Sequence, residues 1–152
     1  MIKFSCYRQH DTMQCGITCL QMICKHYGKE FSIETLSRYC FATTEGVSLL
    51  GISEAANKLG LHSICGRVSM EQMQEAPLPC ILHWNQNHFV VLYKQKRGKK
   101  FYIADPGKGL ITYNRKEFVG KDHSLYFHQS GGLSLIRECV QEFVSLFPLT
   151  VS

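Results

Sequence analysis

Apolar positions along the first half of the chain recur at helical spacing. Ile17, Leu20, Met22 and Ile23 predict a helix over residues 15–27, stopped at Gly28. Ser32 opens a short helix over 33–39, with apolar residues at Ile33, Leu36 and Tyr39. Ser48 caps another over 49–59, whose buried face is Leu49, Ile52, Ala55, Ala56 and Leu59, and Gly60 ends it. Beyond Gly60 the texture changes. Residues 61–68 form a strand candidate, and Ser69-Met70-Glu71-Gln72 reads as a capping box on one short helix. From Pro79 onward strands dominate, over 80–84, 88–93, 100–105, 109–113 and 124–128. Asp105-Pro106-Gly107 marks a turn between two of them, and residues 115–119 make a single helical turn. Residues 1–14 read as extended or irregular. Helices first and consecutive strands after predict an α+β fold, with N-terminal helices packed on a C-terminal, mostly antiparallel sheet.

A length of 152 residues suits one domain with a substantial core. The expected division is a domain over 1–130 and an atypical amphipathic tail over 131–152. That tail carries Leu135, Ile136, Cys139, Val140, Phe143, Val144 and Phe147 ahead of Pro148. With 45% hydrophobic and 19% charged residues, the chain is neither disordered nor a coiled coil. The net charge of +5 owes much to residues 94–100, which read as a solvated hairpin turn around Gly98. No aromatic platform interleaves with it, so no nucleic-acid partner is expected. No run of about 18 apolar residues occurs, so no membrane span is expected.

Eight cysteines are many for this length. No apolar h-region is seen in Met1-Ile2-Lys3-Phe4-Ser5, and several cysteines sit in apolar context, so the compartment is read as reducing and the thiols as unpaired. Cys15, Cys19, Cys24 and His26 are dense in metal-ligand types, but no Cys-x2-Cys pair exists, and neither a metal nor any other cofactor is expected.

One cysteine stands apart. Cys15 falls on the first turn of its helix, beside unpaired backbone N–H groups and the positive end of the helix dipole, and both favour thiolate over thiol. Gly16 after it removes a side chain where a substrate backbone would approach. A thiol nucleophile needs a base and a group to orient that base. His88 opens a strand after the polar loop Asn85-Gln86-Asn87, and Asp105 closes the following strand. If the two strands form a hairpin about Gly98, both residues stand at the same end and can touch. The backbone N–H of Cys15 and the carboxamide of Gln9 are candidate donors to an oxyanion.

The pattern Gln9-x5-Cys15-Gly16-x2-Cys19-Leu20, then His83-Trp84-x3-His88-Phe89-Val90-Val91, then Asp105-Pro106, resembles the bacteriocin-processing cysteine peptidase domain of peptidase-containing ABC transporters. The resemblance covers about residues 4–128 and implies a papain-like fold. It implies Cys15 as nucleophile, His88 as base, Asp105 as orienting group and Gln9 in the oxyanion hole. Gly16, Trp84 and Asn87 are the candidate substrate contacts. The implied substrate is a precursor peptide with a leader, cut after a double-glycine-type site, and the leader is expected to bind partly as an amphipathic helix. The implied partners are the transmembrane and ATPase parts of an ABC exporter, in the same or another chain. The implied location is cytoplasmic, at the inner face of a bacterial membrane. Two features depart from the family's pattern: Gln14 stands where an acidic residue is usual, and residues 131–152 are not the usual lead into a transmembrane domain. The rival reading is a non-catalytic module that docks a leader or cargo beside a transporter.

Overall fold

A computed structural model describes residues 3–43, 46–66, 70–74, 78–84, 88–119 and 123–129. The tail expected over 131–152 and the candidate contact Asn87 lie outside the described residues.

Three helices come first: α1 (Cys15–His26), α2 (Ile33–Tyr39) and α3 (Leu49–Lys58). Strand β1 (His62–Gly66) and helix α4 (Met70–Gln74) follow, then β2 (Cys80–Trp84), β3 (His88–Lys96), β4 (Lys100–Asp105), β5 (Gly109–Asn114), helix α5 (Arg115–Val119) and β6 (His123–Gln129). Two of the expected caps form: Ser32 accepts from the Thr35 N–H at 3.2 Å, and Ser48 from the Gly51 N–H at 3.0 Å; Ser69, expected to cap α4, lies outside the described residues. The start of α1 is built differently. Gln14 gives it no side-chain cap; the helix instead grows out of a 3-10 turn, Thr12–Gln14, whose own cap is Asp11, accepting from the Met13 N–H at 2.8 Å. Helical structure therefore begins three residues earlier than the sequence pattern predicts.

The strands form one six-stranded sheet in the order β1-β6-β2-β3-β4-β5, with every neighbouring pair antiparallel. Strand β6, the last among the described residues, inserts between β1 and β2, a placement no local pattern reveals. Both faces of the sheet are covered. Phe89 and Val91 of β3 join Ile81 and Ala104 against the buried side of α1, together with Leu36 and Ile52. Val90 and Leu92 face the other way, with Leu82, Ile103, Met73 of α4 and Phe118 of α5. Burial on both faces explains why this stretch of β3 reads as a continuous apolar run rather than an alternation. Helix α1 is enclosed nearly all round, with Cys15 to Leu20 and Met22 to Cys24 buried.

The β3–β4 ladder carries one irregularity. It runs regularly from Lys96↔Lys100 to Lys94↔Tyr102, shifts by one residue at a bulge between Leu92 and Lys94, and resumes as Leu92↔Ile103 and Val91↔Ala104.

Candidate active site

Cys15 is the first residue of α1 and 4% exposed. Its neighbour Gly16 is packed tightly: a Cβ there would lie 3.0 Å from Ile52 Cδ1 and 3.2 Å from Phe89 Cδ2. The missing side chain thus lets α1 seat against α3 and β3. Interior packing already favours a glycine at this position.

The sheet brings His88 and Asp105 together. His88 Nε2 and Asp105 Oδ1 are 2.8 Å apart, with the histidine side chain 29% exposed and the carboxylate only 2%. The bulge makes this possible. Continued by one pair, the register beyond it sets Asp105 opposite Val90, diagonal to His88 and on the same face. Without the bulge, Asp105 would fall opposite Val91 and point to the other face, because a one-residue slip inverts every side chain.

Asp105 is held from a second side. Its Oδ1 also accepts the Gly107 N–H at 2.8 Å. The N-terminal segment clamps the same turn: the Gln9 N–H donates to Pro106 O at 2.9 Å and Arg8 Nη2 to Gly107 O at 2.8 Å. Gln9 is carried to the site this way. A Cβ on Gly107 would be 3.3 Å from Asp105 Oδ1 and 3.9 Å from both Gln9 Oε1 and His88 Cε1, so the three side chains converge on this one glycine. Gln9 Oε1 is buried and has no protein hydrogen-bond partner.

The electrostatics single out Cys15. Burial pushes its thiol up, but a hydrogen bond with His88, a backbone hydrogen bond with Phe89, the charge of His88 and a backbone hydrogen bond with Gly16 outweigh it, and its pKa falls below the ordinary thiol value. His88 is pushed up to about 9, first by its hydrogen bond with Asp105 and then by the one with Cys15. Burial alone would raise Asp105; the bonds from His88 and the Gly107 N–H hold it below its usual value. Because Nε2 is taken by Asp105, Nδ1 is the ring nitrogen left for the thiol. The arrangement favours a thiolate beside an imidazolium. Other described thiols go the opposite way: burial raises Cys6, raises Cys19 well above its ordinary value, and lifts Cys24 to about 11 and Cys40 to about 12.

The expected trio Cys15, His88 and Asp105 meets in one place, with Gln9 beside it. Trp84 is set by the ladder directly opposite His88. Sequence reasoning missed Phe89, whose backbone bonds Cys15, and Arg8 and Gly107, which fix the turn after β4. The only signals for the last two were a basic residue beside Gln9 and a glycine in a turn. Among the described residues no cluster of His, Cys, Asp and Glu is placed to hold a metal, and no helix is long and apolar enough to cross a membrane.

Comparison with known proteins bears on the whole arrangement. The model of the Peptidase C39 family matches residues 3–122. The colicin V secretion/processing ATP-binding protein CvaB of Escherichia coli is 36% identical over 109 residues, covering 72% of this chain and 16% of its own length. The lactococcin-G-processing and transport ATP-binding protein LagD of Lactococcus lactis is 39% identical over 116 residues, with the same 72% and 16% coverage. This chain therefore spans about one sixth of those relatives. Among solved structures, a double glycine motif protease from an AMS/PCAT transporter, in complex with the leader peptide, superposes with a TM-score of 0.79 at 31% identity, covering 85% of this chain and 93% of that one. The peptidase domain of the Streptococcus bifunctional ABC transporter ComA gives 0.77 at 25% identity, covering 85% and 100%. The likeness is to the peptidase portion of such transporters, and its papain-like fold is the one found here. A line of Cys15, His88 and Asp105 on that fold, under a family model that spans most of the chain, means that the chain belongs to the peptidase C39 family of cysteine peptidases.

Proposed function

We propose that this domain cuts the leader from a secreted peptide precursor after a double-glycine-type site, in the service of an ABC exporter and at the inner face of a bacterial membrane. The observation that carries the reading is His88, bonded on one side to a buried carboxylate and on the other to Cys15, the described thiol whose ionisation is eased.

Each residue then has one chemical task. The Cys15 thiolate attacks the carbonyl carbon of the residue before the cut. The oxyanion that forms meets the backbone N–H of Cys15 and the side-chain amide of Gln9, and one such donor contributes about 2.7–4 kcal/mol to transition-state stabilisation. The C–N bond breaks as His88 gives its proton to the departing amine. His88, now neutral, takes a proton from water; the water oxygen attacks the thioester, and the leader leaves as a carboxylate while Cys15 returns to thiolate. Asp105 keeps the ring in its tautomer and orientation throughout. Two glycines before the cut suit a nucleophile that is only 4% exposed, since any side chain there would have to pass the same narrow approach.

The test is incubation of the domain with a leader peptide carrying Gly-Gly, with the cut position read by mass spectrometry. Cleavage directly after the second glycine by the wild type, and none by Cys15→Ala, is expected. Cleavage by the alanine variant would overturn the role of Cys15. Binding of the leader without cleavage by the wild type would favour a docking module.

A further inference from the structure

His83 takes no part in the proposed chemistry, yet it lies one residue away from its centre. In the β2–β3 ladder it pairs directly with Phe89. Their rings stack, with centroids 4.5 Å apart and planes 25° from parallel. Phe89 is in turn one of the two residues against which α1 closes at Gly16: a Cβ there would meet its ring edge at 3.2 Å, beside Ile52 Cδ1 at 3.0 Å. Phe89 is 6% exposed and follows His88 directly, so any drift of its backbone also moves the base.

We propose that His83 is a positioning residue for the nucleophile: its ring clamps Phe89, and Phe89 fixes the start of α1, and with it the sulfur of Cys15, relative to His88. The chain of contacts is short and each link is a packing contact: the His83 ring on the Phe89 ring, the Phe89 ring on Gly16, and Gly16 bonded to Cys15. The backbone bond between Phe89 and Cys15 adds a polar link in the same direction. A hydrogen bond to the thiolate keeps its strength only while donor and sulfur stay in place, and a mobile Phe89 would weaken it. The role depends on the flat ring rather than on its charge, so another aromatic ring should serve. It rests on Cys15 being the reactive thiol of a peptidase.

The experiment reads the thiol itself. The rate of iodoacetamide alkylation at Cys15 is followed against pH in the wild type, His83→Ala and His83→Phe, with Cys15→Ala as the background for the other thiols. In His83→Ala the midpoint should move up by about one pH unit, making alkylation near pH 7 about tenfold slower. Leader cleavage should lose kcat with KM little changed. His83→Phe should restore both. A His83→Ala profile that overlays the wild type, or a folded His83→Phe with the full loss, overturns the proposal. Should circular dichroism find His83→Ala unfolded, Phe89→Leu takes its place: the same upward shift supports the clamp, and an unmoved profile overturns it. Alkylation needs no substrate, so a wild type that never cuts a leader would refute the peptidase reading without altering this measurement.

Discussion

The two ends of the β3–β4 hairpin are built on opposite terms. At the turn end the ladder is regular, and Gly98 at φ +65° is buried beneath exposed Lys96, Arg97, Lys99 and Lys100. Arg115 Nη1 donates to Gly98 O at 3.2 Å, and Gln95 Nε2 to the carbonyls of Met73 and Gln74 at 3.0 and 2.9 Å. Beneath them the rings of Phe101 and Phe118 stack at 3.9 Å. Here backbone pairing and apolar burial hold the hairpin, and the charges stay in water. At the open end the ladder has slipped by one residue and stops at Val91↔Ala104. Past it the strands are joined by side chains, His88 to Asp105, and a carboxylate lies as deep as the core residues Ile17 and Cys40. A buried charge is tolerable there because it accepts two hydrogen bonds, one from an imidazole that holds its own proton. One hairpin thus separates stability from chemistry along its length, and each half can be attacked without the other.

The largest effect should come from His88→Ala. It removes the base and also the main influence that offsets burial at Cys15. Cleavage should fall by about 10²–10⁴-fold, and alkylation of Cys15 near pH 7 should slow with it. The melting temperature should also fall by a few degrees, because Asp105 stays buried with one hydrogen bond in place of two. Rapid alkylation in this variant would mean that the helix start alone activates the thiol.

Asp105→Asn should cost less and should show best in the pH profile. In the wild type activity rises with pH as the Cys15 thiolate forms, and it falls as pH climbs through about 9, where His88 gives up its proton. The hydrogen bond with Asp105 is the first cause of that raised value. An uncharged amide in its place should therefore move the alkaline limb toward lower pH, each unit corresponding to about 1.4 kcal/mol of lost preference for the imidazolium. An unmoved alkaline limb would show that the carboxylate orients the ring without tuning it.

How much of these ends was legible in the sequence depends on the reach of its signals. Cys15, His88 and Asp105 were legible because each stands at the boundary of an element: a helix start, a strand start and a strand end before Pro106. Boundaries are marked locally by glycine, proline and polar runs. The bulge was not legible. Val90-Val91-Leu92-Tyr93 is apolar on both faces, so no alternation marks where the extra residue sits. A hairpin counted regularly from its turn would have put Asp105 on the wrong face. The insertion of β6 between β1 and β2 was hidden for a related reason: it joins residues some sixty positions apart. The seat of Gly16 depends on Ile52 and Phe89, which come from two other elements. A glycine beside a nucleophile looks the same whether a substrate or a helix presses on it.

Phe118→Ala attacks the other half and should leave catalysis almost untouched. Phe118 is fully buried and stacked on Phe101, on the face of the sheet away from α1. Removing a buried ring costs about 3–5 kcal/mol through lost burial and the cavity left behind. A domain of this size typically has about 5–15 kcal/mol in hand, so the variant should stay folded at 25 °C but melt well below the wild type. The contacts of Cys15, His88, Asp105 and Gln9 all lie beyond the bulge, so kcat per folded molecule and the alkylation profile should match the wild type. A loss of kcat in a variant still folded by circular dichroism would show that the two ends are coupled through the ladder, with the bulge transmitting the disturbance rather than absorbing it.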